Sequence, residues 1–159
     1  MTARFAGVVA LSATVAMLSA CSGHANAPSA IDVRVTGRAE SHSSESCFLN
    51  LTARVADGGT MRYCLKTFSG EPGPNAVVHD RGTMTFELPE GTLRAAVRTV
   101  QRFEPDGRHA RQSLFGTILG GTGRFEGDAG TISGGGIVEE YPPGHIADSA
   151  LEYRIAPSS

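Results

Sequence analysis

Few residues in this chain could do chemistry, and they are scattered. Asp80, Thr99 and Gln101 stand on strand parities that are otherwise apolar. If those faces line a lumen, the three are polar groups in an apolar pocket, the pattern of a specific ligand site. The plainer expectation puts Asp80 ahead of a bulge at Gly82, facing water, with Thr99 and Gln101 near a rim. Cys47 and Cys64 form an even pair once Cys21 is set aside, which in an exported domain points to a disulfide worth roughly 3 kcal/mol. Their parities differ, because Cys47 falls with Leu49 and Leu51 while Cys64 is even. A bridge therefore needs a bulge, or a Cys47 that precedes the regular pairing. The functional alternative is a reactive thiol, but nothing cationic flanks both positions.

Other chemistries lack their spacing. His42, His79, His109 and His145 stand apart, with no HxH or HExxH, so no metal site is expected. Ser133 sits in Gly130-Thr131-Ile132-Ser133-Gly134, which misses the GxSxG of a serine hydrolase. Gly121-Thr122-Gly123 begins a GxGxxG, yet Glu126 stands where the third glycine belongs and no Lys-Ser/Thr follows. Neither a dinucleotide nor a phosphate loop results, and no cofactor is expected. The formal charge is −2; without Arg4 of the leader the balance is 13 minus 16, or −3. A mildly acidic chain is a poor partner for nucleic acid.

The beginning of the chain carries an address. Residues 1–20 hold one basic residue, Arg4, then an apolar run from Phe5 to Leu18, then small residues. That order is a secretory signal, and the run is short for a membrane span. Leu18-Ser19-Ala20-Cys21 resembles the lipobox of bacterial lipoproteins, which implies that Cys21 is acylated and becomes the new N-terminus. The alternative is a soluble secretion signal cut after Ala25-Asn26-Ala27, which Pro28 disfavours. Residues 21–30 contain no large apolar side chain and read as a flexible tether. The expected address is export, with lipid anchoring to the bacterial cell membrane or envelope, and the membrane is the expected partner.

The elements that must position these residues are strands. From Ile31 the pattern alternates: Ile31, Val33, Val35, Gly37 and Ala39 share one face, Asp32, Arg34, Thr36 and Arg38 the other. Leu49, Leu51, Ala53 and Val55 repeat the pattern, Asp57-Gly58-Gly59 turns the chain, and Met61, Tyr63 and Leu65 return. Gly82 falls inside the next run. Leu93, Ala95, Val97, Thr99, Gln101 and Phe103 then face away from Arg94, Arg98 and Arg102. That arginine ladder is expected to be a solvated face paired with neighbouring acids, with weak contact to anionic lipid as the sharper option. Residues 108–120 run apolar on both faces around Phe115 to Leu119. About eight strand-like runs with short connections predict an all-β domain over 31–157, as a sandwich or barrel. Eight strands close into an antiparallel β-barrel whose interior is filled or holds one small ligand.

Between the sixth and seventh runs lies the densest glycine stretch. Gly120, Gly121, Gly123, Gly127 and Gly130 surround the single large aromatic Phe125. Such density implies left-handed or crowded backbone, with Phe125 as the plug that the turn aims. The segment Gly120-Gly121-Thr122-Gly123-Arg124-Phe125-Glu126-Gly127 resembles the Gly-Gly-(Ser/Thr)-Gly-x-Phe segment of allene oxide cyclases and dirigent proteins. That likeness covers residues 76–156 in order of elements and the glycine segment in identity. It implies a closed eight-stranded antiparallel barrel with an apolar cavity. There the cyclases cyclise an unstable fatty-acid epoxide and the dirigents steer coupling of phenoxy radicals, by holding the guest in one shape. The families' catalytic residues lie outside the matched segment, so none is carried over. The expectation is a membrane-anchored envelope lipoprotein that serves as a non-enzymatic binding or interaction module for a small apolar ligand. The alternatives are an isomerase or cyclase acting on a lipid-derived substrate, and a structural protein with a filled barrel.

Overall fold

The computed structural model describes residues 29–42, 44–140 and 145–158. The expected leader and most of the expected tether, Cys21 included, lie outside the described residues. Eight strands follow in chain order: β1 (Ile31–His42), β2 (Leu49–Val55), β3 (Thr60–Ser69), β4 (Val77–Leu88), β5 (Gly91–Phe103), β6 (His109–Gly121), β7 (Ala129–Glu140) and β8 (Ile146–Ser158). Each pairs antiparallel with the next, and β8 returns to β1, so the sheet closes into a barrel. Closure removes the open edges that would otherwise recruit other strands.

Alternation drives the closure. On β5, Leu93, Ala95, Val97, Thr99, Gln101 and Phe103 are all buried, while Arg94, Arg98 and Arg102 are exposed. Strand β6, apolar on both faces in sequence, turns Ala110, Leu114 and Ile118 inward and leaves Phe115 59% and Leu119 57% exposed. Pairing with β5 and β7 decides its parity, because a one-residue slip would expose the other set.

A bulge re-aims one wall. Lys66 is an extra residue in β3, between Leu65 opposite Gly82 and Thr67 opposite Arg81. The bulge anticipated at Gly82 is therefore made by its partner strand, and β4 runs through Gly82 without a shift against β5. A Cβ on Gly82 would come 2.2 Å from the Cys64 carbonyl oxygen and 2.7 Å from the Tyr63 ring. Glycine is what lets that ring lie against β4. Past the bulge, Phe68 pairs with Asp80 and shares its parity.

The two ends of the barrel differ. One end holds the β2–β3, β4–β5 and β6–β7 connections, the start of β1 and the end of β8. The glycine-dense turn sits there. Gly120 and Gly121 finish β6, Gly123 opens a short 3₁₀ turn (Gly123–Phe125), Gly127 turns the chain and Gly130 enters β7. Gly123 adopts φ +62°, and a Cβ there would meet the Glu90 carbonyl oxygen at 2.4 Å. The turn is tied down by Thr122 N–H to Thr92 O and Arg124 N–H to Glu90 O, each 2.9 Å. Phe125 is fully buried, as are Phe86, Leu93, Ile132 and Ile155. Phe86 meets the Tyr153 ring edge-on with centroids 6.1 Å apart. This half of the barrel is filled with side chains.

Candidate functional site

The opposite end opens between the β1–β2, β3–β4, β5–β6 and β7–β8 connections. A cavity of about 260 Å³ lies at this mouth. Its walls are apolar, from Leu49, Leu51, Leu65, Val78 and Ile146. Five polar side chains interrupt them: Tyr63, Asp80, Gln101, Gln112 and Glu140. No lysine, arginine or histidine lines it among the described residues.

Asp80 and Thr99 are cross-strand partners of β4 and β5. The Thr99 hydroxyl donates to Asp80 Oδ2 at 3.0 Å. Asp80 is 8% exposed, Thr99 2% and Gln101 7%. The water-facing Asp80 expected from sequence is therefore corrected; Gln101, two residues from the end of β5, does lie at the mouth, and Thr99 is buried without lining the cavity. The extra residue belongs to β3, so β4 keeps its parity through Gly82 and Asp80 stays on the inward face with Met84. Burial raises the Asp80 carboxyl above its ordinary value of 3.8, and the Thr99 bond and nearby His79 act in the opposite direction. Beside it, the Tyr63 hydroxyl is buried and has no hydrogen-bond partner. Burial, and then the charge of Asp80, hold that phenol well above its usual range, and the nearby Thr99 hydroxyl acts in the opposite direction.

A second polar line crosses the lumen. Gln101 Nε2 donates to Gln112 Oε1 at 3.3 Å, and Gln112 Nε2 donates to the Tyr153 hydroxyl at 3.0 Å. Gln112 reaches from β6 to β8 because β7 places Gly136 opposite it, with no side chain between. Gln112 and Glu140 are cavity residues that the sequence reading missed. The inward series Ala110, Gln112, Leu114 alternates with polar Arg111 and Ser113, a signal masked by the outward Phe115 and Leu119 further along the strand. Glu140 shares its parity with Ile132 and Val138, a signal that was present among the glycines but weak.

The lip of the mouth is held by a disulfide. Cys47 and Cys64 are bridged, with Cα atoms 5.3 Å apart. Cys47 precedes β2, which begins at Leu49, so the parity objection disappears. The Phe48 N–H donates to Leu65 O at 2.8 Å, and the Phe48 ring packs 4.6 Å from the Phe68 ring. The bridge and the β3 bulge thus bring two aromatics together beside the opening.

The histidines form no metal cluster among the described residues. His109 pairs with Asp106 in the β5–β6 turn. The bond from His109, then those from the Arg108 and His109 amides, pull the Asp106 carboxyl down, and the same pairing raises His109. Arg94, Arg98 and Arg102 do not have the acidic neighbours expected of them. Across β4 and β6 they face Thr85, Arg81 and Val77, and Gly120, Phe115 and Arg111.

The geometry defines a class: a closed antiparallel barrel, filled and sealed at one end and open to a small apolar pocket at the other. Comparison with protein-family models, curated proteins and solved structures finds no match.

Proposed function

We propose that the protein is a lipid-anchored binding module of the bacterial cell envelope, held by acylated Cys21, whose barrel mouth takes a small apolar ligand. The mouth cavity carries this reading, because its apolar walls converge on a few fixed polar groups. Two carboxyls and no cation favour a guest that is neutral or bears a hydrogen-bond donor at its inner end, and disfavour a carboxylate there. At about 260 Å³ the site suits a small molecule rather than a long lipid chain. The likeness of the glycine segment to allene oxide cyclases and dirigent proteins supports the same use of a lumen, as a mould for one guest. Binding without turnover is favoured because the Gln101, Gln112 and Tyr153 groups satisfy one another and hold shape.

One observation favours the cyclase or isomerase alternative. Asp80, with its raised carboxyl pKa, and the unpartnered Tyr63 hydroxyl are the kind of buried acid–base pair that proton transfer uses. Titration with phenylnaphthylamine, a neutral apolar fluorophore, tests the common claim. Saturable enhancement is expected, lost in the cavity-filling variant Val78→Phe. A protein that gives no saturable signal while folded would sink both readings. Chemical analysis of the bound guest after incubation separates them: it is recovered unchanged under the first reading, whereas under the second it is converted, and Asp80→Asn stops the conversion while sparing binding.

A further inference from the structure

We propose that the outward face of β4, β5 and β6 docks on an anionic lipid surface. The face is built for an external counter-charge. Arg81 and Arg98 stand directly opposite each other across β4 and β5. Like charges in that position destabilise a sheet. Arg94 and Arg102 share the outward face of β5 with Arg98, and Lys66, at the bulge beside Arg81, donates its ammonium to the Ser46 carbonyl oxygen. Seven ion pairs occur among the described residues, and none contains any of these five cations. Glu87 is the one strand carboxylate facing outward on β3 to β6, and it is bound to Arg62. A chain of negative net charge therefore gathers positive charge on one wall and leaves it uncompensated.

Lipid is favoured over a free anion by what lies beside the cations. Phe115 is the cross-strand partner of Arg98, and it is 59% exposed. Leu119 follows on the same strand at 57%, and Ile137 on β7, opposite Arg111, at 52%. Lys66, Arg81, Arg98 and Phe115 line one shallow depression together with the outward-facing Ala96 and Thr117. Cations that reach phosphates, next to aromatic and aliphatic side chains that enter the acyl boundary, form the pattern of an interfacial contact. A free phosphate has no use for the apolar row. Docked this way, the barrel lies on its side and its mouth opens along the membrane. The contact is independent of the acyl anchor, so it is testable without Cys21.

The test uses residues 29–159, which contain every strand of the closed barrel. Vesicles of pure phosphatidylcholine are compared with vesicles of about three parts phosphatidylcholine to one part phosphatidylglycerol by co-sedimentation. Binding is expected to the second only, and to weaken with salt. Each charge removed should weaken it about fivefold, so Arg81→Gln with Arg98→Gln should cost about 25-fold. Phe115→Ser should also weaken it. Arg34→Gln, on the opposite wall and paired with Glu152, should not. Melting curves check that the variants are folded. Equal binding to both vesicles, or undiminished binding by the folded double variant, overturns the proposal. Binding of inorganic phosphate at this face without vesicle binding overturns it too, and marks a free-anion site instead.

Discussion

Replacing Phe125 with alanine tests whether the glycine-dense turn seals the barrel. The ring is fully buried. A buried phenylalanine hides about 150 Å², and at about 25 cal/mol per Å² its apolar transfer amounts to about 4 kcal/mol. Alanine keeps a small part of that. The hole adds to the loss, because the turn cannot collapse: backbone hydrogen bonds hold Thr122 to Thr92 of β5 and Arg124 to Glu90 of the β4–β5 connection. The expected destabilisation is about 3–5 kcal/mol. For a domain of this size that lowers Tm by roughly 10–20 °C. Urea unfolding followed by far-ultraviolet circular dichroism measures the free energy. Phe115→Ala is the control, the same change at an exposed site, and should stay within about 0.5 kcal/mol of the parent. A Phe125→Ala loss below about 1 kcal/mol would mean that the ring does not close this end, and the sealed-barrel reasoning would fail.

Three further outcomes are expected. Removing the bridge with Cys47→Ser and Cys64→Ser opens a 17-residue separation and should cost about 3 kcal/mol, read from denaturant midpoints; free-thiol titration of the parent domain should find no reactive thiol, and a full count of two would reject the bridge. Asp80 should make stability fall with rising pH, because its folded carboxyl lies above the unfolded value of 3.8. Its contribution is fully present below that value and is lost as pH rises through the folded one. Asp80→Asn keeps an oxygen for Thr99 and removes the loss, so its stability relative to the parent should grow from acid to neutral pH, and a flat difference would contradict the burial argument. Cys21→Ala should release the full chain from membranes at high salt, where the basic face is screened; continued membrane fractionation under those conditions would reject the lipid anchor.

The barrel was legible because one face of nearly every strand is apolar and the other polar. Leu93 to Phe103 shows this best, since its arginines leave only one face to bury. The sealing role of Phe125 was legible because so many glycines around one aromatic require a tight turn. The pocket was harder to read. Asp80, Thr99 and Gln101 stood on inward parities, but a bulge near Gly82 could have turned Asp80 outward. Only the pairing of β3 with β4 shows that the extra residue is Lys66. Gln112 could not be singled out while β6 read as apolar on both sides. The placing of Arg81 opposite Arg98 depends on register alone, which no single strand contains.

The central claim is that the barrel is solid at the Phe125 end and hollow enough at the other to hold a guest. Native mass spectrometry of the full chain, released gently from the envelope in mild detergent, tests it most directly. A population carrying one small molecule is expected, absent from Val78→Phe. A protein that appears only as the bare chain, and stays bare after incubation with neutral apolar amphiphiles, would contradict it.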